Sequence, residues 1–193
     1  MKTIIISYSF TGNNDALASS IAVALDAKRI RITESKRRTT AAIFMDILFH
    51  RTPQVVFTPA GIHPDDFLIF LSPVWVGGVA TPLRKCFKLL KKRTGPYAFI
   101  SISGGAAGPN AKLGNELAKR MGKVPAALLD MHIADLLPQD PKPQRNDTAG
   151  YQLSAKDIQT LTHQAVKVLH ETLKKYNEKP RNGENRDFLT NQL

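Results

Sequence analysis

The chain has 193 residues, of which 42% are hydrophobic and 22% charged, and it contains one cysteine. This composition is typical of a globular domain, and it excludes collagen-like, disordered and disulfide-framework chains and Cys-rich metal sites. Lys and Arg outnumber Asp and Glu by 27 to 16, a net charge of +11 that favours anionic partners. No run is apolar enough for a membrane span or a signal peptide, so we expect a cytoplasmic protein. One domain is expected over residues 1–176, followed by a mobile or docking tail over 177–193.

The cationic residues fall into two clusters. The first basic cluster comprises Lys28, Arg29, Arg31, Lys36, Arg37 and Arg38, and the second comprises Arg84, Lys85, Lys88, Lys91, Lys92 and Arg93. Only Glu34 opposes the first cluster, and the second contains no acid. The clusters are either solvated faces of a basic protein or a dedicated docking surface, and the sequence leaves both interpretations open.

Strand and helix signals alternate in the first half of the chain. Residues 3–7 form a β-branched run that predicts a strand, and apolar residues at helical spacing from Asp15 predict a helix. A short strand over 29–33, a short helix over 41–49 and a buried strand over 67–71 follow. Thr81 and Pro82 are predicted as the N-cap and first residue of a helix that runs to about Arg93.

The second half of the chain continues the alternation. It predicts a buried strand over 97–102, a helix from Pro109 to Gly122, a strand over 126–133, an exposed loop over 138–150, and a long helix from Ser154 to about Tyr176. Ser154 and Asp157 have the spacing of a capping box. Five strands alternating with helices predict an α/β fold, in which a parallel sheet is covered by helices on both faces.

Three loops follow strands of this predicted sheet and are rich in Gly, Ser or Thr. We name them the first loop (residues 9–14), the second loop (72–80) and the third loop (101–108). Ligands of such sheets bind outside the carboxyl ends of the strands, where the strand order reverses. The three loops therefore form the candidate binding site.

The first loop has the chemistry of a phosphate site. Ser9, Thr11 and Gly12 lead into a predicted helix, whose free N–H groups and positive dipole end favour an anion. The loop has no Lys for a Walker motif, and the chain has no GxGxxG for a dinucleotide. A monophosphate held by neutral donors fits better, and the alternative is a capped helix after a turn.

The second and third loops could hold a planar ring. Trp75, the only Trp, lies between a predicted strand and two glycines, where its indole either stacks on a ligand or belongs to the core. The third loop offers glycine N–H groups and the hydroxyls of Ser101 and Ser103 to the edge of a heterocycle.

The order and spacing of these loops resemble the flavodoxin-like family over about residues 1–135. The resemblance is carried by Ser9-x-Thr11-Gly12-Asn13 and by the segment 72–78, followed by Pro82-Leu83-Arg84. The segment from 72 to 84 is also similar to the loop of FMN-dependent NAD(P)H and quinone reductases. The resemblance implies a doubly wound five-stranded parallel sheet with FMN as the cofactor.

The same resemblance implies roles for individual residues. The FMN phosphate would lie on Ser9, Thr11, Gly12, Asn13 and Asn14, the isoalloxazine on Pro73, Val74, Trp75, Val76, Gly77 and Gly78, and the pyrimidine edge on Ser103, Gly104 and Gly105. Asn14 stands where the family often has a hydroxyl residue, and its amide could still donate to phosphate. No catalytic residue and no metal ligand is assigned.

Three functions remain open at this point. The leading one is an FMN protein in electron transfer, served by an acidic redox partner or by NAD(P)H; the first alternative is an FMN-dependent NAD(P)H or quinone reductase. The second alternative is a non-enzymatic basic domain that binds a partner protein or nucleic acid, although no nucleic-acid motif is present. The second loop contains no carboxylate, unlike the acidic surroundings of low-potential carriers.

Cys86 is expected to be a buried structural thiol, and His163 and His170 to be surface residues of the last helix.

Overall fold

Five parallel strands form the central sheet of the protein, whose structure is a computed structural model that describes residues 1–34, 39–93 and 95–178. The strands are β1 (Thr3–Ser7), β2 (Lys28–Arg31), β3 (Phe67–Leu71), β4 (Tyr97–Ser103) and β5 (Ala127–His132). Their spatial order is β2-β1-β3-β4-β5 and every neighbouring pair is parallel. This 2-1-3-4-5 order confirms the predicted doubly wound sheet.

Helices cover both faces of the sheet. They are α1 (Asn13–Ala24), α2 (Thr40–Leu48), α3 (Leu83–Leu90), α4 (Leu113–Met121), α5 (Arg145–Ala149) and α6 (Ala155–Asn177), with a 3-10 turn at Ile133–Leu136. Helices α1 and α6 pack on one face, and α3 and α4 on the other. The predicted capping box starts α6: the Ser154 hydroxyl accepts from the Asp157 N–H at 3.2 Å, and the Asp157 carboxylate accepts from the Ser154 N–H at 2.8 Å.

The central strands are apolar over most of their length because both of their faces are buried. In β1, Ile5 packs into the cluster below α1 and α6, whereas Ile4 and Ile6 pack into the cluster below α3 and α4. Successive side chains of a strand point to opposite faces, so a strand between two helical layers is apolar at consecutive positions and does not alternate with polar residues. This apolar pattern determines which segments form the central strands, and therefore the edge of the sheet at which the three loops lie.

Three predicted segments differ from the structure. Thr81 does not cap α3, which begins at Leu83; the Thr81 hydroxyl is buried and forms no hydrogen bond. Helix α4 begins at Leu113, not at Pro109, although it ends at Gly122 as predicted. The expected loop over 138–150 contains the short helix α5.

Two expectations fall on residues outside the described ones. They are the tail, of which 179–193 are not described, and the contribution of Lys36, Arg37 and Arg38 to the first basic cluster. Within the described ranges, none of the helices combines the length and hydropathy that a membrane span requires.

Candidate cofactor site

The three loops meet at the carboxyl edge of three adjacent strands. They follow β1, β3 and β4, and the strand order reverses beside β1. The ring of Trp75 in the second loop makes T-shaped contacts with Tyr8, at the end of β1, and with Phe10 in the first loop, at centroid distances of 5.9 and 6.1 Å. The structure therefore brings the first and second loops together at the topological switch point, where ligands of such sheets bind.

The first loop presents unused donors at the start of α1. Gly12 has a φ of +102°, a left-handed conformation that favours glycine, and its N–H donates to the Ser9 hydroxyl at 3.0 Å. Among the described residues, no side chain caps α1, and Thr11 is exposed beside its first turn. The backbone N–H groups of this turn and the Thr11 hydroxyl are thus available to an anion.

Asn13 and Asn14 are buried and turn their side chains into the protein, not toward a ligand. The Asn14 amide donates to the Ile102 carbonyl at 2.7 Å and accepts from the Ile102 N–H at 3.1 Å. The Asn13 amide donates to the Tyr151 carbonyl at 2.8 Å and accepts from the Leu153 N–H at 3.1 Å. The expectation that the Asn14 amide reaches phosphate is corrected accordingly: the side chain joins α1 to β4, and only the backbone N–H can serve a ligand.

Charges beside the first loop favour an anion. Asp15, the acidic residue in the first turn of α1, pairs with the guanidinium of Arg29, and its carboxylate lies 3.0 Å from Arg31 Nε. Arg29 also donates to the hydroxyls of Ser7, at 3.0 Å, and Ser19. Two arginines against one carboxylate leave a positive charge at this helix start, so part of the first basic cluster supports the candidate site.

The second loop forms a hairpin instead of the irregular loop that was predicted. Val74–Trp75 pairs antiparallel with Gly78–Val79, and the turn between them has φ angles of +52° at Val76 and +75° at Gly77. Positive φ at both central residues is the type I′ geometry of a two-residue hairpin. Val76 is a β-branched residue in the left-handed region, a strained conformation that concentrates at functional sites, and it is 83% exposed at the tip.

Trp75 itself is half-buried. It packs against the core cluster below α3 and α4 while part of the side chain stays accessible. Both interpretations of this residue therefore hold in part, since the indole anchors the hairpin and retains surface for a ligand.

Helix α4 braces the second loop with a carboxylate that the sequence did not indicate. Glu116 Oε2 accepts from the Val79 N–H at 2.8 Å, and Glu116 Oε1 accepts from Arg120 Nε at 2.7 Å. A Cβ atom on Gly78 would lie 3.1 Å from Glu116 Oε2. The second loop contains no carboxylate of its own, but the carboxylate of Glu116 lies against it. Arg120 neutralises the charge of Glu116.

A buried polar cluster supports the third loop from β4 and β5. Asp130 accepts from the Ser101 hydroxyl at 2.7 Å and from the backbone and side-chain N–H groups of Asn110 at 3.1 and 2.8 Å. His132 Nε2 lies 3.2 Å from the same carboxylate. Burial raises the pKa of Asp130, but the hydrogen bonds from Ser101 and Asn110 prevail and hold that pKa below its ordinary value. Ser101, expected to face a ligand, instead serves this cluster.

Gly105 lies directly on the buried imidazole of His132. Its φ is +75°, and a Cβ atom there would come within 2.2 Å of His132 Cβ. The neighbouring Gly104 carbonyl accepts from the Ala134 N–H at 3.0 Å. Ser103, Gly104 and Gly105 are half-exposed at the edge of the site, so the third loop packs against β5 and α5 while part of it stays accessible to a ligand.

We expect Asp130→Asn to lower the free energy of unfolding at pH 7 by about 1–3 kcal/mol, because a buried hydrogen-bonded acceptor is lost. The pKa of Asp130 is lower in the folded state, so its stabilisation is present above the unfolded-state pKa of about 4. It is lost as the pH falls through the folded-state pKa. Urea unfolding at pH 7 and at the lowest pH at which both proteins fold measures the effect. An equal difference between the proteins at both pH values would contradict it.

The comparisons with known proteins agree with the topology. No family model matches the chain, and a search of curated proteins found none similar to it. A flavoprotein from Lactobacillus acidophilus NCFM, solved in complex with FMN, matches with a TM-score of 0.57 and 21% identity over 74% of this chain and 99% of its own. A candidate flavoprotein from Bacteroides eggerthii DSM 20697 matches with a TM-score of 0.59 and 13% identity, over 68% of this chain and 87% of its own. The chain has the flavodoxin-like fold.

Other residue types singled out in the sequence lie away from the loops of this flavodoxin-like fold. Cys86 is fully buried, and burial raises its thiol pKa to about 12, which confirms a structural thiol. His163 and His170 are exposed on α6, as predicted. Within the described part of the chain, no group of three His, Cys, Asp or Glu side chains could hold a metal ion.

Proposed function

We propose that this flavodoxin-like protein binds FMN across the three loops and uses it in electron transfer. The observation that carries the proposal is the convergence, at the switch point, of an uncapped helix start, a half-buried indole and a glycine-rich loop. The helix start suits the phosphate of FMN, the indole suits the face of the isoalloxazine ring, and the glycine-rich loop suits the edge of that ring. The fold is shared with a flavoprotein that was solved with FMN, which supports the same choice of cofactor.

The donor set of the first loop fits a phosphate monoester. Ser9 and Thr11 supply hydroxyls, and the first turn of α1 supplies backbone N–H groups. Gly12 leaves open space above the loop, because a Cβ atom placed there would meet only Gln152 Oε1, at 3.9 Å. The surplus positive charge of Arg29 and Arg31 over Asp15 adds a field that favours the phosphate dianion.

The second and third loops would hold the isoalloxazine. Pro73, Val74, Trp75, Val76, Gly77 and Gly78 would contact the ring system, and Ser103, Gly104 and Gly105 its pyrimidine edge. Bound FMN supplies the redox chemistry, so the chain needs no nucleophile or base of its own. Tyr8 and Phe10 fix the Trp75 ring by edge contacts, and Glu116 fixes the hairpin through the Val79 N–H. These contacts preorganise the loops around the ring.

The proposal is tested by titrating FMN with the purified apo-protein while following flavin fluorescence. Saturable quenching at one FMN per chain is the expected result, because the site would place the ring against Trp75. The absence of saturable binding would reject the cofactor and leave a basic protein of this fold that acts through partners.

Activity of the FMN-loaded protein separates the carrier from the reductase. A carrier that receives its electrons from a redox partner should show no sustained turnover with NADH or NADPH and menadione when that partner is absent. Sustained turnover with either nucleotide would replace the carrier with the FMN-dependent NAD(P)H or quinone reductase.

A further inference from the structure

Helix α2 carries an apolar stripe on its outer face. Phe44, Met45, Leu48 and Phe49 are 61, 41, 57 and 54% exposed. They recur at spacings of one and four residues and so occupy one side of the helix, with Ala41 also exposed one turn earlier. On the opposite side Ile43 is buried. An isolated exposed apolar side chain is ordinary, but four large ones on one helix face mark an interaction surface.

The stripe is joined to the second basic cluster through the start of α3. Arg84 Nη1 donates to the carbonyls of Asp46 and Arg51 at 3.2 and 2.8 Å, and Lys85 Nζ donates to the Val55 carbonyl at 2.9 Å. Lys88 in α3 and Lys92, just beyond its end, are exposed, and neither forms an ion pair with any residue that the structure describes. An apolar stripe and unneutralised cations therefore adjoin on one side of the protein.

Charge disfavours a second copy of this chain as the occupant. With a net charge of +11, two identical basic faces would repel each other on contact. An acidic protein would also complement the charge, and Arg51, whose guanidinium carbon lies 5.2 Å from the centroid of the Phe49 ring, is a residue type common in protein interfaces. Such a partner is therefore the alternative outcome of the test below. Helix α2 itself contains no Lys or Arg, but its apolar stripe and the cations of the neighbouring α3 together favour an anionic bilayer, which takes up apolar side chains and attracts positive charge.

We propose that α2 and the lysines of α3 dock the protein on an anionic phospholipid surface, with Phe44, Met45, Leu48 and Phe49 entering the acyl boundary. This inference goes beyond FMN binding and does not depend on it. The cations supply long-range attraction to the lipid phosphates, and the stripe supplies the apolar contact that holds the helix once it arrives.

Co-sedimentation of the full chain with vesicles tests the proposal. We expect binding to vesicles of equal parts phosphatidylglycerol and phosphatidylcholine, and none to pure phosphatidylcholine. Phe44→Ser with Phe49→Ser should weaken this binding at least about tenfold, because two aromatic side chains no longer enter the lipid. Val23→Ser, at a position 84% exposed on α1, is the matched control and should bind like the parent. Lys88→Glu with Lys92→Glu should also weaken binding, most strongly at low salt.

Two outcomes would overturn the proposal. Failure of the parent to sediment with phosphatidylglycerol vesicles excludes the lipid surface. Undiminished binding of the double Ser variant shows that charge alone holds the protein and that the stripe stays in water. If an acidic ferredoxin bound the parent and not the double Ser variant, while vesicles bound neither, the stripe would be a protein interface. Each protein's fold is checked by its circular dichroism spectrum.

Discussion

Gly105→Ala is expected to lower the free energy of unfolding by about 4 kcal/mol and the melting temperature by about 8–16 °C. Two costs add at this position. The φ of +75° is strained for any residue with a Cβ atom, and that atom would come within 2.2 Å of Cβ and 2.4 Å of Cγ of the buried His132. Because the nearest atom is His132 Cβ, which is bonded to the backbone of β5, rotation of the imidazole cannot relieve the clash and the strand itself would have to shift. Thermal unfolding followed by circular dichroism gives the shift.

Gly108→Ala is the matched control for this experiment. Gly108 lies in the same loop with a φ of +87°, but a Cβ atom there would meet nothing within 4 Å. The control therefore carries backbone strain without the clash and should cost about 1 kcal/mol. Equal losses in the two variants would mean that His132 yields freely and that the third loop does not depend on close packing against β5.

Thr11→Ala is expected to weaken FMN binding about 10- to 150-fold, the loss of one hydrogen bond to a charged group. Thr11 is exposed beside the uncapped start of α1, where its hydroxyl can donate to the phosphate. Riboflavin has the same ring system without the phosphate, so its affinity should not change. Fluorescence titrations of both flavins with both proteins measure the effect.

Thr160→Ala provides the control for the loss of a threonine hydroxyl. Thr160 is exposed on α6, and its hydroxyl donates to the Lys156 carbonyl of the same helix at 2.9 Å. This variant should bind FMN like the parent. A parallel loss of FMN and riboflavin affinity in Thr11→Ala would show that Thr11 supports the shape of the loop and does not hold the phosphate.

The sheet could be predicted from the sequence because its signal is local. Strands β1 and β3 were predicted at their observed bounds, since a strand buried on both faces carries a continuous run of apolar residues. Thr81 shows the limit of such reasoning: Thr-Pro has the composition of a helix start, yet the Thr81 hydroxyl is buried without a hydrogen bond. Tertiary packing places α3 and overrides the local preference of the dipeptide.

The candidate site divides in the same way. The three loops were located because strand ends and glycines are visible in the sequence, but the contacts that hold them are long-range. Asn14 bonds to Ile102 across 88 positions, and Glu116 bonds to Val79 across 37. Periodicity and spacing report neighbours along the chain and give no signal for such pairs. Polar residues within buried strands, such as Asp130 and His132, were the signal that could have indicated the cluster behind the third loop.

The hydrogen bonds of Asn13 bear on the order of events during biosynthesis. Its amide is bonded to Tyr151 and Leu153, which lie 138 and 140 positions further along the chain. At a translation rate of about 5–20 residues per second, these partners leave the ribosome roughly 7–28 seconds after Asn13. Until then the Asn13 side chain at the end of the first loop lacks both of these hydrogen-bond partners. Binding of the proposed FMN would consequently be a late event, which follows the synthesis of nearly the whole described chain and so would not guide the folding of its first half.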